Sequence, residues 1–220
     1  MGIAENIKHV NATLPATARL VAVSKFQPID RMLEAYMAGQ RVFGENKAQE
    51  LSAKAPLLPS DIEWHFIGHL QSNKVKYIAP FVHMVQSVDS LKLLMEIDRE
   101  AAKHQRVISC LLQFYIASEE SKFGLDMDEA EPLLASPEYA SLQHIRIDGV
   151  MGMASFTDDK ALVRREFTQL AEIFRSLKNR YFPTAPHFCE LSMGMSDDYH
   201  IALECGSTIV RVGTMVFGGR

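Results

Sequence analysis

Leu20-Val21-Ala22-Val23-Ser24-Lys25 is the stretch on which the fold turns. Leu, Val, Ala and Val in succession read as a fully buried strand, the kind found in parallel sheets. Lys25 closes that strand and so sits at the rim of the core it enters. Lysine shifts its pKa readily when desolvated and forms Schiff bases with carbonyl compounds. A strand-end lysine also snorkels to solvent with its stem on apolar surface. The segment alone leaves both roles open.

Working outward, strand and helix patterns alternate along the chain. Residues 2–11 form a leading helix, Arg19–Ser24 a strand and Ile29–Ala38 a helix with Gly39 as a natural C-cap. Arg41–Phe43 is a short strand followed by a helix around Lys47–Lys54. The region 51–61, with Pro56 and Pro59, reads as loop. Glu63–Ile67 is the third strand, with a helix near Asn73–Ile78, and Val82–Gln86 is the fourth. Asp89 is the expected N-cap of a helix through Lys103. Arg106–Tyr115 is the fifth strand, and Asp126 is placed to cap a helix through Leu134. Ile145–Val150 is the sixth strand. Lys160–Lys178 is a long amphipathic helix, with Leu162, Phe167, Leu170, Ile173, Phe174 and Leu177 at helical spacing. Pro186–Glu190, a helix around Asp197–Leu203 and Thr208–Val212 complete the series. Eight strands, each but the last followed by a helix, predict a single (β/α)8 TIM-type barrel with an extra N-terminal helix. No linker or low-complexity tract divides the chain, so one domain over 1–220 is expected.

Composition removes several function classes. The chain has 220 residues, 47% of them hydrophobic, enough for one sizeable core. A net charge of -4 and the lack of Lys/Arg blocks argue against a dedicated nucleic-acid binder. No apolar run approaches the roughly 18 residues of a membrane helix. The N-terminus lacks a signal-peptide core, and Asn6 stands where a myristoylation motif needs Ser or Thr. A cytoplasmic protein is expected. Cys110, Cys189 and Cys205 are widely spaced, without a CxxC pair, and read as reduced structural thiols.

A barrel of this kind carries its site at the C-terminal strand ends, with phosphate held after strands seven and eight. Leu191-Ser192-Met193-Gly194-Met195-Ser196-Asp197-Asp198 and Arg211-Val212-Gly213-Thr214 occupy those places. Both offer hydroxyls and a glycine that lets backbone amides approach an anion. Ordinary turns, with Ser196 or Asp197 as an N-cap, are the alternative. Arg211, in a strand of Thr, Ile and Val, pairs with a barrel carboxylate such as Glu45 or Glu190, or faces a polar ligand. Asn46 caps the next helix or contacts a ligand. His65 reads as a satisfied interior histidine, and His69 as the ligand-side one at the rim. Their i, i+4 spacing falls on a strand and its exit loop, with no intervening Glu, so no metal site is expected. GxGxxG, GxxxxGK[ST] and GxSxG are all missing, which sets aside nucleotide-binding and serine-hydrolase readings.

Seven stretches taken together carry a resemblance. They are Ala22–Lys25, Phe43–Asn46, Trp64–Lys74, Glu119–Gly124, Gly149–Ala154, Leu191–Asp198 and Gly206–Thr214, in that order. The chain resembles the pyridoxal 5'-phosphate (PLP) homeostasis family, the YggS/PROSC-like group, over nearly its whole length. That family has the barrel of the alanine racemase N-terminal domain. The resemblance implies PLP held as a Schiff base on Lys25. It implies a phosphate site from Ser192, Met193, Gly213 and Thr214, and Arg211 facing the pyridine nitrogen. Asn46 and His69 match positions lining the site. Phe114-Tyr115-Ile116 departs from the family's usual Val-Asn pair and bears on the pocket lining, not on the lysine or phosphate loops.

The resemblance frames two functions. One is a non-catalytic protein that stores, buffers or delivers PLP, with PLP-dependent apoenzymes as recipients. The other is an amino-acid racemase. Racemisation needs an acid and a base on opposite faces of the α-carbon. In the similar alanine racemases one of these is a tyrosine from a second domain of the partner subunit. No such domain follows the barrel in the sequence, so the carrier and a monomer are expected. Tyr115 is the one candidate for a substitute acid. An arginine at the pyridine nitrogen also weakens the cofactor as an electron sink.

Overall fold

Eight parallel strands close into a barrel in strict sequence order. The structure, a computed structural model, describes residues 2–118 and 124–219. Glu119 to Phe123, most of one family motif, lie outside the described residues. The strands are β1 (Arg19–Val23), β2 (Val42–Glu45), β3 (Glu63–Phe66), β4 (Met84–Val88), β5 (Ile108–Tyr115), β6 (Ile145–Met153), β7 (Glu190–Ser192) and β8 (Ile209–Val212). The helices are α1 (Ile3–Thr13), α2 (Ile29–Met37), α3 (Ala48–Lys54), α4 (Val75–Ile78), α5 (Leu91–Lys103), α6 (Met127–Ala135), α7 (Pro137–Ala140), α8 (Lys160–Tyr181), α9 (Tyr199–Glu204) and α10 (Thr214–Phe217). The extra leading helix is α1. Among the described residues no helix is long and apolar enough to cross a membrane.

Strand alternation builds two cores. Leu20 and Ala22 of β1 face the helices, in the large outer core with Phe43, Trp64, Phe167 and Phe188. Val21 faces inward, where it meets Met84, Leu111, Met151 and Ile209 in a plug that fills the barrel. On four of these five strands the next inward position, Val23, Gln113, Met153 or Arg211, lines a cavity above the plug; on β4 it is Gln86, which does not. Period two therefore carries Val21, Val23 and Lys25 up one wall, and Ile209, Arg211 and Gly213 up its neighbour.

Some boundaries differ from the sequence expectation. β7 begins at Glu190, not at Pro186. Proline donates nothing to a ladder, and Phe188 stacks outside the sheet on Phe174 and Phe182, with centroids 5.1 and 4.2 Å away. β4 starts at Met84 because the Val82 amide still closes the helical turn of α4 on Ile78. Ser90, not Asp89, caps α5, its hydroxyl accepting from the Leu93 amide. Asp126 does cap α6, in a capping box with Glu129.

Glu166 of α8 ties the exits of β5 and β6 together. Its carboxylate accepts four hydrogen bonds, from the amides and hydroxyls of Ser118 and Ser155, at 2.7–2.9 Å. Burial pushes the Glu166 carboxyl up, but the bonds from Ser155 and Ser118 outweigh it and hold the group below its ordinary value. A carboxyl lowered in this way stabilises the fold above its unfolded value and loses that contribution as pH falls through the folded one. Urea midpoints measured from about pH 5 to about pH 3 should therefore fall less steeply for Glu166→Gln than for the native chain. The variant should be the less stable of the two at neutral pH. Parallel acid limbs would contradict this role.

Candidate functional site

The cavity above the plug has a volume of about 590 Å³ and opens at the C-terminal strand ends. Lys25, Asn46, His69, Arg211, Gly213 and Thr214 all line it. Ser196, Gln113, Ile67 and Gly68 complete much of the wall. Tyr115 is not among its lining residues.

Lys25 is exposed, and among the described residues its amine makes no hydrogen bond or ion pair. The backbone on either side of it is fixed. Phe26 has φ 63°, a left-handed conformation that costs a non-glycine residue about 1–2 kcal/mol. Its amide donates to Glu50 Oε1 at 2.6 Å. Lys54 Nζ reaches the Ser24 carbonyl at 2.8 Å, Glu45 at 2.8 Å and Glu50 at 2.7 Å. The Ser24 hydroxyl donates to Glu45 at 2.7 Å. One buried lysine and two carboxylates thus clamp Ser24 and Phe26 and leave the residue between them aimed at the cavity.

Arg211 is 4% exposed and forms no ion pair among the described residues. Neither proposed carboxylate partner takes it: Glu45 pairs with Lys54, and Glu190 with Arg19 at 2.8 Å. Its guanidinium donates to Ser192 Oγ at 2.7 Å and to the Gly152 carbonyl at 3.0 Å. Burial pushes its pKa down to about 10, with Asp198 pulling the other way. A buried cation held by neutral acceptors and facing a cavity is suited to a ligand atom that accepts a hydrogen bond.

Ser192 and Met193 require a correction. Both side chains are fully buried and neither lines the cavity. Ser192 ends β7 facing into the barrel, where its hydroxyl donates to Gln86 Oε1 at 2.6 Å and accepts from Arg211. Met193 is one residue further and belongs to the outer core. The chain then turns at Gly194, with φ 96°, and brings Met195, Ser196 and Asp197 to the wall. Ser196 is no N-cap, since α9 is preceded by Asp198. Its hydroxyl accepts from Thr214 Oγ1 at 2.8 Å, which joins the loops after β7 and β8. Glycine followed two residues later by a hydroxyl residue was the available signal, and Ser196 fits it better than Ser192.

On the other side, Asn46 does not cap α3, whose N-cap is Lys47. Asn46 Oδ1 is buried without a hydrogen bond among the described residues, an unmet acceptor in the cavity wall. His69 Nδ1 lies 3.5 Å from Asp89. Gly68 lets the β2 and β3 exit loops touch: a Cβ there would stand 2.4 Å from the Asn46 carbonyl oxygen. Gly68→Ala should cost about 1–3 kcal/mol by overpacking and displace Asn46. Denaturant melts with and without ligand would show both effects, and unchanged stability would contradict the contact.

The set fits a planar, phosphate-bearing aldehyde. The cavity wall carries an amine at the end of β1, paired hydroxyls beside a glycine turn at the end of the neighbouring β8, a buried guanidinium lower on β8 and, after β2, an amide acceptor with no partner among the described residues.

Comparisons with known proteins show the family and the fold. The family described as "Alanine racemase, N-terminal domain" matches residues 2–220. The pyridoxal phosphate homeostasis protein of Pasteurella multocida is 38% identical, with 99% of this chain and 94% of that protein covered. The structure of PipY from Synechococcus elongatus, with PLP bound, superposes with a TM-score of 0.87 at 36% identity, covering 98% of this chain and 100% of that one. Alanine racemase from Bartonella henselae shares the fold, with a TM-score of 0.73 at 16% identity and 62% of its chain covered. The chain belongs to the pyridoxal phosphate homeostasis protein family, within the alanine racemase N-terminal domain family.

Proposed function

We propose that this protein holds PLP as a Schiff base on Lys25 and serves intracellular PLP homeostasis without substantial catalysis of its own. The observation that carries this is an amine with no hydrogen bond or ion pair among the described residues, at the end of β1 in the same cavity as the Ser196–Thr214 hydroxyl pair beside the neighbouring β8. Ser196, Thr214 and the Gly213 turn would hold the phosphate, and Arg211 the pyridine nitrogen. Asn46 and His69 would flank the ring. The solved PipY relative binds PLP, which supports the same ligand here.

Bound PLP supplies an electron sink, and its strength depends on a protonated ring nitrogen. Arg211 is a donor that gives up no proton at neutral pH, since its pKa is about 10 even when buried. It leaves the ring nitrogen unprotonated. This favours a carrier that passes PLP to PLP-dependent apoenzymes, acting as a single-domain cytoplasmic monomer. Racemisation also needs a second acid or base, and Tyr115 does not line the cavity. PLP-loaded protein incubated with either enantiomer of alanine should therefore give no inversion above the protein-free rate. Sustained turnover would reverse the choice between carrier and racemase.

A further inference from the structure

The N-terminal mouth of the barrel, opposite the cavity, holds a second group of chemistry-bearing side chains. Glu63 opens β3, His65 follows on the same inward face, and His83 lies just before β4. One donor atom from each lies within 4.8 Å of the other two. The two imidazoles are parallel within 5°, with centroids 5.8 Å apart. His83 Nε2 is 3.8 Å from Glu63 Oε2. His65 is fully buried, and its Nε2 has no hydrogen-bond partner among the described residues. A buried, unmet ring nitrogen is costly, and the best-attested remedies are a hydrogen bond or a metal.

We propose that Glu63, His65 and His83 bind a divalent ion of the zinc class at this lower mouth. Two imidazoles and a carboxylate are a zinc donor set, with a fourth position left for water. Tetrahedral zinc with bonds of about 2.0–2.1 Å spaces its donors roughly 3.3 Å apart. The three donor atoms, within 4.8 Å of one another, must close by no more than about 1.5 Å to reach that spacing. His83 and Glu63 are 47% and 45% exposed, so their side chains are free to close on the ion, while His65 is the fixed anchor. Burial, with Arg19 and His83 adding to it, holds His65 well below its ordinary pKa, and the neutral imidazole is the ligating form. Arg19 is the cation closest in effect, and Glu190 pairs with it at 2.8 Å. Glu63 supplies the negative charge.

The inner side of the site is already oriented. His65 Nδ1 is 2.8 Å from Gln86 Nε2, so the neutral ring carries its proton on Nε2. Metal on Nε2 moves that proton to Nδ1, where it is donated to Gln86 Oε1 once the amide turns over, and the Ser192 hydroxyl oxygen then accepts from Gln86 Nε2 instead of donating to Oε1. Gln86 also contacts Ser192, which contacts Arg211. A hydrogen-bonded line therefore runs through the barrel from the lower mouth to the cavity wall.

Calorimetric titration of the full chain with zinc chloride tests the site. The expected result is one saturable equivalent, weakened roughly tenfold or more by His83→Ala and by Glu63→Gln. Both positions are half-exposed, so both variants should fold. Cys189, an exposed thiol just before β7 on the same end, is the competing ligand. Cys189→Ser should leave the equivalent in place. No saturable equivalent, binding that survives both His83→Ala and Glu63→Gln, or binding lost only in Cys189→Ser would each overturn the proposal.

Discussion

Protein carrying Lys25→Ala should be colourless after incubation with PLP, and borohydride should leave no cofactor attached to it. The native chain treated in the same way should show a visible band and retain the cofactor through denaturation. The change removes an exposed side chain with no hydrogen bond or ion pair among the described residues, so folding should be affected by no more than about 0.5 kcal/mol. An unchanged urea midpoint would then separate loss of the covalent link from loss of the fold. The hydroxyl pair and Arg211 remain in the variant, so weaker, reversible PLP binding should persist. A reducible adduct in Lys25→Ala would mean that another amine holds the cofactor.

The largest effect on stability should come from Lys54→Met. Lys54 is 8% exposed and serves two carboxylates, of which Glu45 is fully buried. Taking one partner from a buried ionic group leaves the other charged and uncompensated, which costs about 3–5 kcal/mol. Denaturant unfolding of the variant at neutral pH should show a loss of that size. Burial already pushes the Glu45 carboxyl up, against the pull of Lys54 and Ser24. Without Lys54 it rises further. A carboxyl raised in the fold favours folding below its unfolded value and loses that contribution as pH rises through the folded one. The deficit of Lys54→Met should therefore shrink toward acid pH. Adding Glu45→Gln should recover part of it at neutral pH by removing the stranded charge. Lys25 also depends on this cluster, because Lys54 and Glu50 fix Ser24 and Phe26 on either side of it. Schiff-base formation in the variant should be slower even where it remains folded. A loss below about 1 kcal/mol would show that the cluster is solvated and does not act as a clamp.

Much of the barrel was legible because its signals are local. Leu20 to Val23 is apolar on both faces, and only a strand covered on both faces uses such a run. Asp126 and Glu129 stand at capping-box spacing, and the box forms. Lys25, Asn46, His69, Arg211, Gly213 and Thr214 share one cavity because strand ends in a closed barrel share one rim. Errors came where the strand end itself was misplaced. A strand drawn from Pro186 to Glu190 puts Ser192 in the exit loop. The true β7 ends at Ser192, so that side chain still belongs to the barrel interior, and the loop hydroxyl is Ser196. Pro186 was the warning, since it cannot donate to a central ladder. The Lys54 cluster and the Glu63, His65 and His83 group were only partly legible: Glu50 and Lys54 are i, i+4 on α3 and Glu63 and His65 alternate on β3, but Glu45 and His83 join them from other segments through tertiary packing.

The most direct measurement is the position of the covalent link. PLP-loaded full-length protein is reduced with borohydride and digested, and the peptides are sequenced by mass spectrometry. A phosphopyridoxyl group on the Lys25 peptide, at close to one per chain, is the expected result. The same group on another lysine, or none on a protein that retains its visible band, would contradict the role given to Lys25.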